Sequence, residues 1–371
     1  RTLSKDNFSN LYAAPVANSA DGLGAAFQDP ANNSWPVLGA SSWISKNNPA
    51  AGAQHFPFAL SGFMLSSAVL LVKEGSRKIT LHLGLQGLNA GTTAFNNALA
   101  AGLLQVQYTS DKGWTPVAGP QITYDGSKLT VMIDLLPDAP PVLPPDPAKL
   151  LTTYPVQDPI LRVLFNQQKQ YELKDQPWYD LLSHTTITGA DISVNASGLK
   201  NVLLSNDDGP LDANKTFFPF SSIPKKDGSF YVGSDEAFRK HLTGMSLQLE
   251  WEGLPDNFSD HYKAYNANPP INNTSFTVKA EKLDNGQWKP VWDPAQDLQL
   301  FQQSGSTLVP GNTLQLDASA MPMPVLRQAT ALAPYSSGSL YGFVRFKLNR
   351  HFYHQEYPSI LALQTLLLSS P

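Results

Sequence analysis

Residues 216–251 read TFFPFSSIPKKDGSFYVGSDEAFRKHLTGMSLQLEW, and the rest of the chain repeats or extends their pattern. The segment opens on an aromatic-proline cluster, Phe217, Phe218, Pro219 and Phe220. A turn signal, Pro224-Lys225-Lys226-Asp227-Gly228, leads into an apolar strand, Ser229–Gly233, that carries Phe230 and Tyr231. A short charged helix is predicted from Ser234 to His241. Ser234 suits an N-cap, Asp235 and Glu236 fall in the first turn, and Arg239, Lys240 and His241 in the last, the charge order a helix dipole favours. Met245–Trp251 then alternates apolar and polar residues, as a strand with one face on a core must. Nothing here is arranged for catalysis. An aromatic cluster beside a turn either caps a sandwich or anchors a partner. The candidate partner-interface residues are therefore Phe217, Phe218, Pro219, Phe220, Phe230 and Tyr231.

A weaker copy lies upstream. Phe56-Pro57-Phe58 precedes Gly62-Phe63, Ser66-Ser67, Arg77-Lys78 and the alternating strand Ile79–Leu83. The Phe-Pro-Phe runs are 162 residues apart and the strands 166. A hairpin pattern follows each: Val106–Tyr108 up to Trp114, and Val278–Ala280 up to Trp288, with the two tryptophans 174 residues apart. Asp111-Lys112-Gly113 and Asp284-Asn285-Gly286 supply the turns, and Pro-Val follows each tryptophan. Matches in one order with drifting spacing read as a duplicated β-rich domain; the competing account is that hairpins of any β protein look alike.

Composition agrees. The 371 residues can bury two cores, and 30 prolines and 25 glycines with only 15% charged residues favour strands and loops over helical bundles. A net charge of −4 and a pI near 6.0 offer no basic face for nucleic acid. With no cysteine there is neither a disulfide nor a thiolate metal site, which suits the cytosol or an oxidising exterior equally. The chain starts at Arg1 with no signal peptide and reads as a fragment or a processed piece. Its most apolar runs, Ala59–Val72 and Ile360–Leu368, are shorter than the roughly 20 residues of a membrane helix, so a soluble molecule is expected.

The expected fold is mostly β, with two or more sandwich-like domains, short helices and a possible duplication. Residues 1–54, rich in Ala, Asn, Ser, Gly and Pro, form an irregular flank laid on a neighbour, with Trp35 and Trp43 as anchors. A first β-rich domain spans 55–145. Pro137–Pro147, six prolines in eleven positions, hands over to a second at 146–371 or is a surface loop. In the first domain, Phe63–Val72 and Lys78–Leu85 are predicted as a hairpin across Glu74-Gly75-Ser76, and Thr92–Ala101 as a helix. In the second, Thr185–Val194 is a strand with Asn195–Lys200 as its turn, and Tyr357–Leu368 is a terminal helix that wants a partner surface.

Sites with chemistry are sparse. His351 and His354 with Glu356 could share a metal, but no third ligand is pinned by spacing. Asn206-Asp207-Asp208-Gly209 lacks the alternating acids of a calcium loop and reads as a turn. Asp134 and Asp138 invite comparison with a glycosidase dyad, although nothing places them across a cleft. Glu250 and Glu252 flank Trp251 on a solvated edge, and Lys225-Lys226 is a turn tip. No nucleophile elbow, P-loop or dinucleotide fingerprint is present, and no cofactor is expected.

The chain resembles the baseplate J-like proteins of extracellular contractile injection systems, the phage-tail-like particles that bacteria release. The resemblance is carried by Gly62-Phe63, Leu70–Ile79, Ser205–Gly209, Phe218–Phe220, Gly228–Ser234, Leu247–Trp251 and Gly253-Leu254-Pro255. Two departures stand out: Ser221 where such proteins continue Phe-Pro-Phe with Gly, and Phe352-Tyr353-His354 where they carry Phe-Gly-His. The resemblance implies a non-catalytic wedge subunit, in many copies, bound to other baseplate proteins. It would be assembled in the bacterial cytoplasm and then released with the particle. The alternative from the residues is a carbohydrate-binding β-sandwich whose platforms are Trp35, Trp43, Trp178 or Trp292; a glycoside hydrolase ranks last.

Overall fold

The computed structural model describes residues 12–15, 60–150, 152–317, 324–326, 331–353 and 357–369. The chain is mostly β, 43% strand against 13% helix. It divides into two compact units: residues 1–73, 79–134 and 139–192, and residues 74–78, 135–138 and 193–371.

Unit 1 holds β1 (Tyr12–Pro15), β2 (Gly62–Ser66), β3 (Ser76–Gln86), β4 (Leu104–Ser110), β5 (Gly113–Pro116), β6 (Gln121–Tyr124), β7 (Lys128–Leu135), β8 (Ile160–Phe165) and the first half of β9 (Thr186–Leu199). Its first sheet runs β1-β2-β8-β4-β5, antiparallel throughout, and its second β9-β3-β7-β6. Alternation along β3 and β7 points Ile79, Leu81, Leu83, Val131 and Ile133 inward, and each fully buried aliphatic of this kind contributes roughly 2 kcal/mol. Helix α1 (Thr92–Ala100) closes the edge at β6. The Asn96 amide donates to the Tyr124 carbonyl (2.8 Å) and accepts from its N–H (2.7 Å), replacing a missing strand. Three short helices complete the unit: α2 (Pro147–Leu150), α3 (Gln167–Leu173) and α4 (Trp178–Ser183).

Unit 2 adds β10 (Leu203–Asn206), β11 (Gly209–Leu211), β12 (Ser229–Gly233), β13 (Leu242–Glu252), β14 (Thr277–Asp284), β15 (Gln287–Pro290), β16 (Asp297–Gln299), β17 (Gln302–Ser304), β18 (Thr307–Val309), β19 (Gly311–Asp317), β20 (Phe343–Leu348) and β21 (Ser359–Ser369), with helix α5 at Phe258–His261. Its first sheet reads β11-β10-β12-β20-β14-β15, with β16 also on β14. The second places β21 between β13 and the later half of β9, and β19 beyond β13.

The two units repeat one topology. β2-β8-β4-β5 corresponds to β12-β20-β14-β15, and β9-β3-β7 to β21-β13-β19. The registers coincide as well: Arg162 faces Met64 and Gln107, and Arg345 faces Tyr231 and Glu281.

Four predicted elements differ. The hairpin across Glu74–Ser76 does not form. β2 stops at Ser66, Ser67 caps a 3-10 turn at Ala68–Leu70 (Val69 N–H to Ser67 Oγ, 3.3 Å), and β3 enters the other sheet. The 234–241 helix shrinks to a 3-10 turn at Ala237–Arg239, still capped by Ser234 Oγ. Asn195–Leu199 continues β9 instead of turning, because β21 supplies its ladder. The terminal segment is a strand and not a helix. β13 and β9 give its backbone a ladder on each side, and a short apolar run carries no period that separates a strand from a helix. The expected irregular flank 1–54 contributes β1; its anchors Trp35 and Trp43 lie outside the described residues.

Candidate functional site

Three of the stretches that carried the family resemblance, Ser205–Gly209, Phe218–Phe220 and Gly228–Ser234, are tied together in unit 2. β10 and β11 are joined through Asp207 and Asp208, and Asn206 Oδ1 caps the turn by accepting the N–H groups of Asp208 (2.9 Å) and Gly209 (3.2 Å). The Asn206 amide then donates to the Phe218 carbonyl (3.1 Å), and Asp208 accepts from the Ser222 N–H (3.3 Å). Asp207 accepts from the Ser229 N–H (2.9 Å) and from the Tyr231 hydroxyl (3.0 Å). The predicted turn is therefore a staple holding the aromatic-proline segment to β12.

On its far side this segment is held by residues near β21. Phe217 and Ile360 exchange both backbone hydrogen bonds (3.1 and 2.9 Å). The Tyr357 hydroxyl accepts from the Phe220 N–H (3.0 Å) and donates to the Ser221 carbonyl (2.7 Å). Burial raises the Tyr357 phenol above its ordinary pKa, as it does for Tyr262 and, less strongly, Tyr231. Ser221 sits at φ +74°, a left-handed conformation that explains why glycine suits this position.

Of the six predicted interface residues, Phe217, Pro219, Phe220, Phe230 and Tyr231 are buried in the unit's own core and only Phe218 is exposed, at 41%. Phe230 packs on Phe217, Phe220 and Phe346. Tyr231 stacks on Tyr335 with ring centroids 4.2 Å apart. Phe218 is the outer end of a continuous aromatic series: Tyr357 at 5.1 Å, then Phe352, Phe276, Phe301 and Trp251. Sequence reasoning found the cluster but could not tell which ring faces out. It also missed Tyr357, whose partners lie 136 and 137 residues away.

Among the described residues no group of three His, Asp or Glu side chains could hold a metal; His354 and Glu356 lie outside them, and His351 packs against Tyr353. Asp134 and Asp138 are both exposed. Glu250 and Glu252 are exposed around a buried Trp251, and Lys225 and Lys226 are exposed, as expected. Of the four tryptophans offered as carbohydrate platforms, Trp35 and Trp43 lie outside the described residues, and Trp178 is 2% exposed and packs on Phe95 (5.4 Å), because α4 turns it into the core of unit 1. Trp292 is half-buried.

The fold is a pair of β-rich units that repeat one topology, with most of the Phe217–Phe220 cluster buried inside the second. The chain is a member of the family described as "Baseplate protein PVC11-like", whose model matches residues 49–362. No curated protein matches it. Among solved structures, the N-terminal CBM22-1–CBM22-2 tandem domain of Paenibacillus barcinonensis Xyn10C is similar over 84% of this chain and 83% of that one. The identity is 9% and the TM-score 0.23, too loose for any inference.

Proposed function

We propose that the chain is a non-catalytic wedge component of the baseplate of a phage-tail-like contractile injection particle, and that it docks onto a neighbouring baseplate protein through Phe218. Membership of a baseplate family supports the setting. The observation that supports the contact is one ring left 41% exposed at the end of an aromatic series and held by the Asn206 amide on its own carbonyl. A preorganised aromatic anchor loses little entropy on docking, and such rings carry a large share of interface energy. On this reading the subunit is present in several copies, is assembled in the bacterial cytoplasm and leaves with the particle.

The test is assembly of whole particles from cells that carry Phe218→Asp in place of the natural chain. The expected result is a folded variant, with unchanged melting, absent from purified baseplates, and recovery of incorporation with Phe218→Leu. Normal particles containing Phe218→Asp would remove Phe218 from the interface. Turnover of a polysaccharide by the natural chain, abolished by a single Asp or Glu substitution, would overturn the non-catalytic reading.

A further inference from the structure

Unit 1 contains an apolar cavity of about 400 Å³. Phe63, Leu104, Val163 and Phe165 of its first sheet and Leu83 and Leu85 of its second form the walls, and Tyr179, Ser183 and Thr186 stand at its rim. None of its described lining residues is charged.

The internal repeat shows what this space does elsewhere. The facing pair Phe63–Val163 corresponds by register to Phe230–Phe346, and Leu104–Phe165 to Val278–Leu348. Counted from Ile79 and Met245, Leu85 stands where β13 carries Trp251. In unit 2 the rings of Phe217, Phe220 and Phe346 pack on Phe230, and Trp251 is buried against Phe301. At these positions unit 1 has smaller side chains at Leu85 and Val163 and larger ones at Leu104 and Phe165. Protein interiors are packed to crystal density, and an apolar void of only ~150 Å³ already takes up benzene.

We propose that this cavity is a binding site for a small neutral molecule built around an aromatic ring. Its described lining residues offer no charge to pair with an ionic ligand, so desolvation favours a neutral one. The hydroxyls of Ser183 and Thr185, which donate to the Asp180 (2.7 Å) and Leu181 (3.0 Å) carbonyls, retain lone pairs that can accept one hydrogen bond from a polar end. The ligand thus occupies in unit 1 the place that phenyl rings of the chain itself occupy in unit 2.

The test is a fluorescence titration of the full chain with N-phenyl-1-naphthylamine, a neutral bicyclic probe. The expected result is saturable enhancement at one probe per chain. Val163→Phe, which copies the residue of unit 2, and Thr186→Trp, at the exposed rim, are each expected to weaken it at least tenfold. Melting curves establish that the variants fold; should Val163→Phe not fold, the rim variant still decides. The proposal is overturned if no saturable enhancement occurs, or if folded variants keep the natural affinity. It is also overturned if the probe enters only after Phe56→Ser and Phe58→Ser together, which would make the chain's own aromatic segment the occupant.

Discussion

The guanidinium carbon of Arg162 lies 3.8 Å above the ring centroid of Trp114. Unit 2 repeats the pair, with Arg345 4.6 Å above Trp288. Each arginine is also fixed by its opposite residue on the next strand: Arg162 Nε donates to Gln107 Oε1 (2.8 Å), and Arg345 forms an ion pair with Glu281. A cation over an indole is attracted by the ring quadrupole, and the carboxamide or carboxylate sets its angle. Burial draws Arg162 down to about 10, partly opposed by Tyr154, so the guanidinium is still charged at neutral pH.

This clamp locks the turn of each β4–β5 or β14–β15 hairpin to the middle of its sheet. Glu281→Gln copies unit 1 and keeps an acceptor for Arg345, so it is expected to change stability by about 1 kcal/mol or less. Trp288→Ala removes the ring under Arg345 and beside Tyr231 and is expected to cost roughly 2 kcal/mol. Urea unfolding of the two variants side by side checks the order.

Ser221 adopts φ +74°, where a Cβ costs roughly 1 kcal/mol or more. Ser221→Gly is therefore expected to stabilise unit 2 by about 0.5–1 kcal/mol, and Ser221→Val to destabilise it. Thermal melting decides; a lower melting temperature for the glycine variant would contradict the strain.

Tyr357 joins two backbone groups through one hydroxyl. Tyr357→Phe leaves the buried Phe220 N–H unpaired and is expected to cost about 1–3 kcal/mol.

The buried phenols of Tyr357 and Tyr262 hold their protons more tightly folded than unfolded. Unfolding then releases protons at alkaline pH, so their contribution is complete below the ordinary tyrosine value of about 10 and is lost as pH rises above it. Melting temperature is expected to fall above pH ~10, with phenolate absorbance appearing together with unfolding. Tyr357→Phe should flatten part of that fall.

Gly233 faces the Phe343 ring, and an added Cβ would collide with it. Gly233→Ala is expected to cost about 1–3 kcal/mol, as other overpacked cores do. Gly233→Ala with Phe343→Leu should recover part of the loss in the same melting assay.

Local chemistry by itself determined much of this protein. Period-2 runs such as Met245–Trp251 are strands wherever they are placed, Asn206–Gly209 and Asn285-Gly286 turn because Asn caps and Gly tolerates positive φ, and the Trp114 and Trp288 hairpins revealed the repeat. Tertiary structure decided the rest, for reasons that do not reside in neighbouring residues. Ile360–Leu368 has helix-like composition and becomes a strand only because β13 and β9 offer ladders on both sides. Which ring of Phe217–Phe220 points outward depends on a tyrosine hydroxyl more than a hundred residues away, and burial against such distant partners, set by packing, leaves no mark in the order of the sequence.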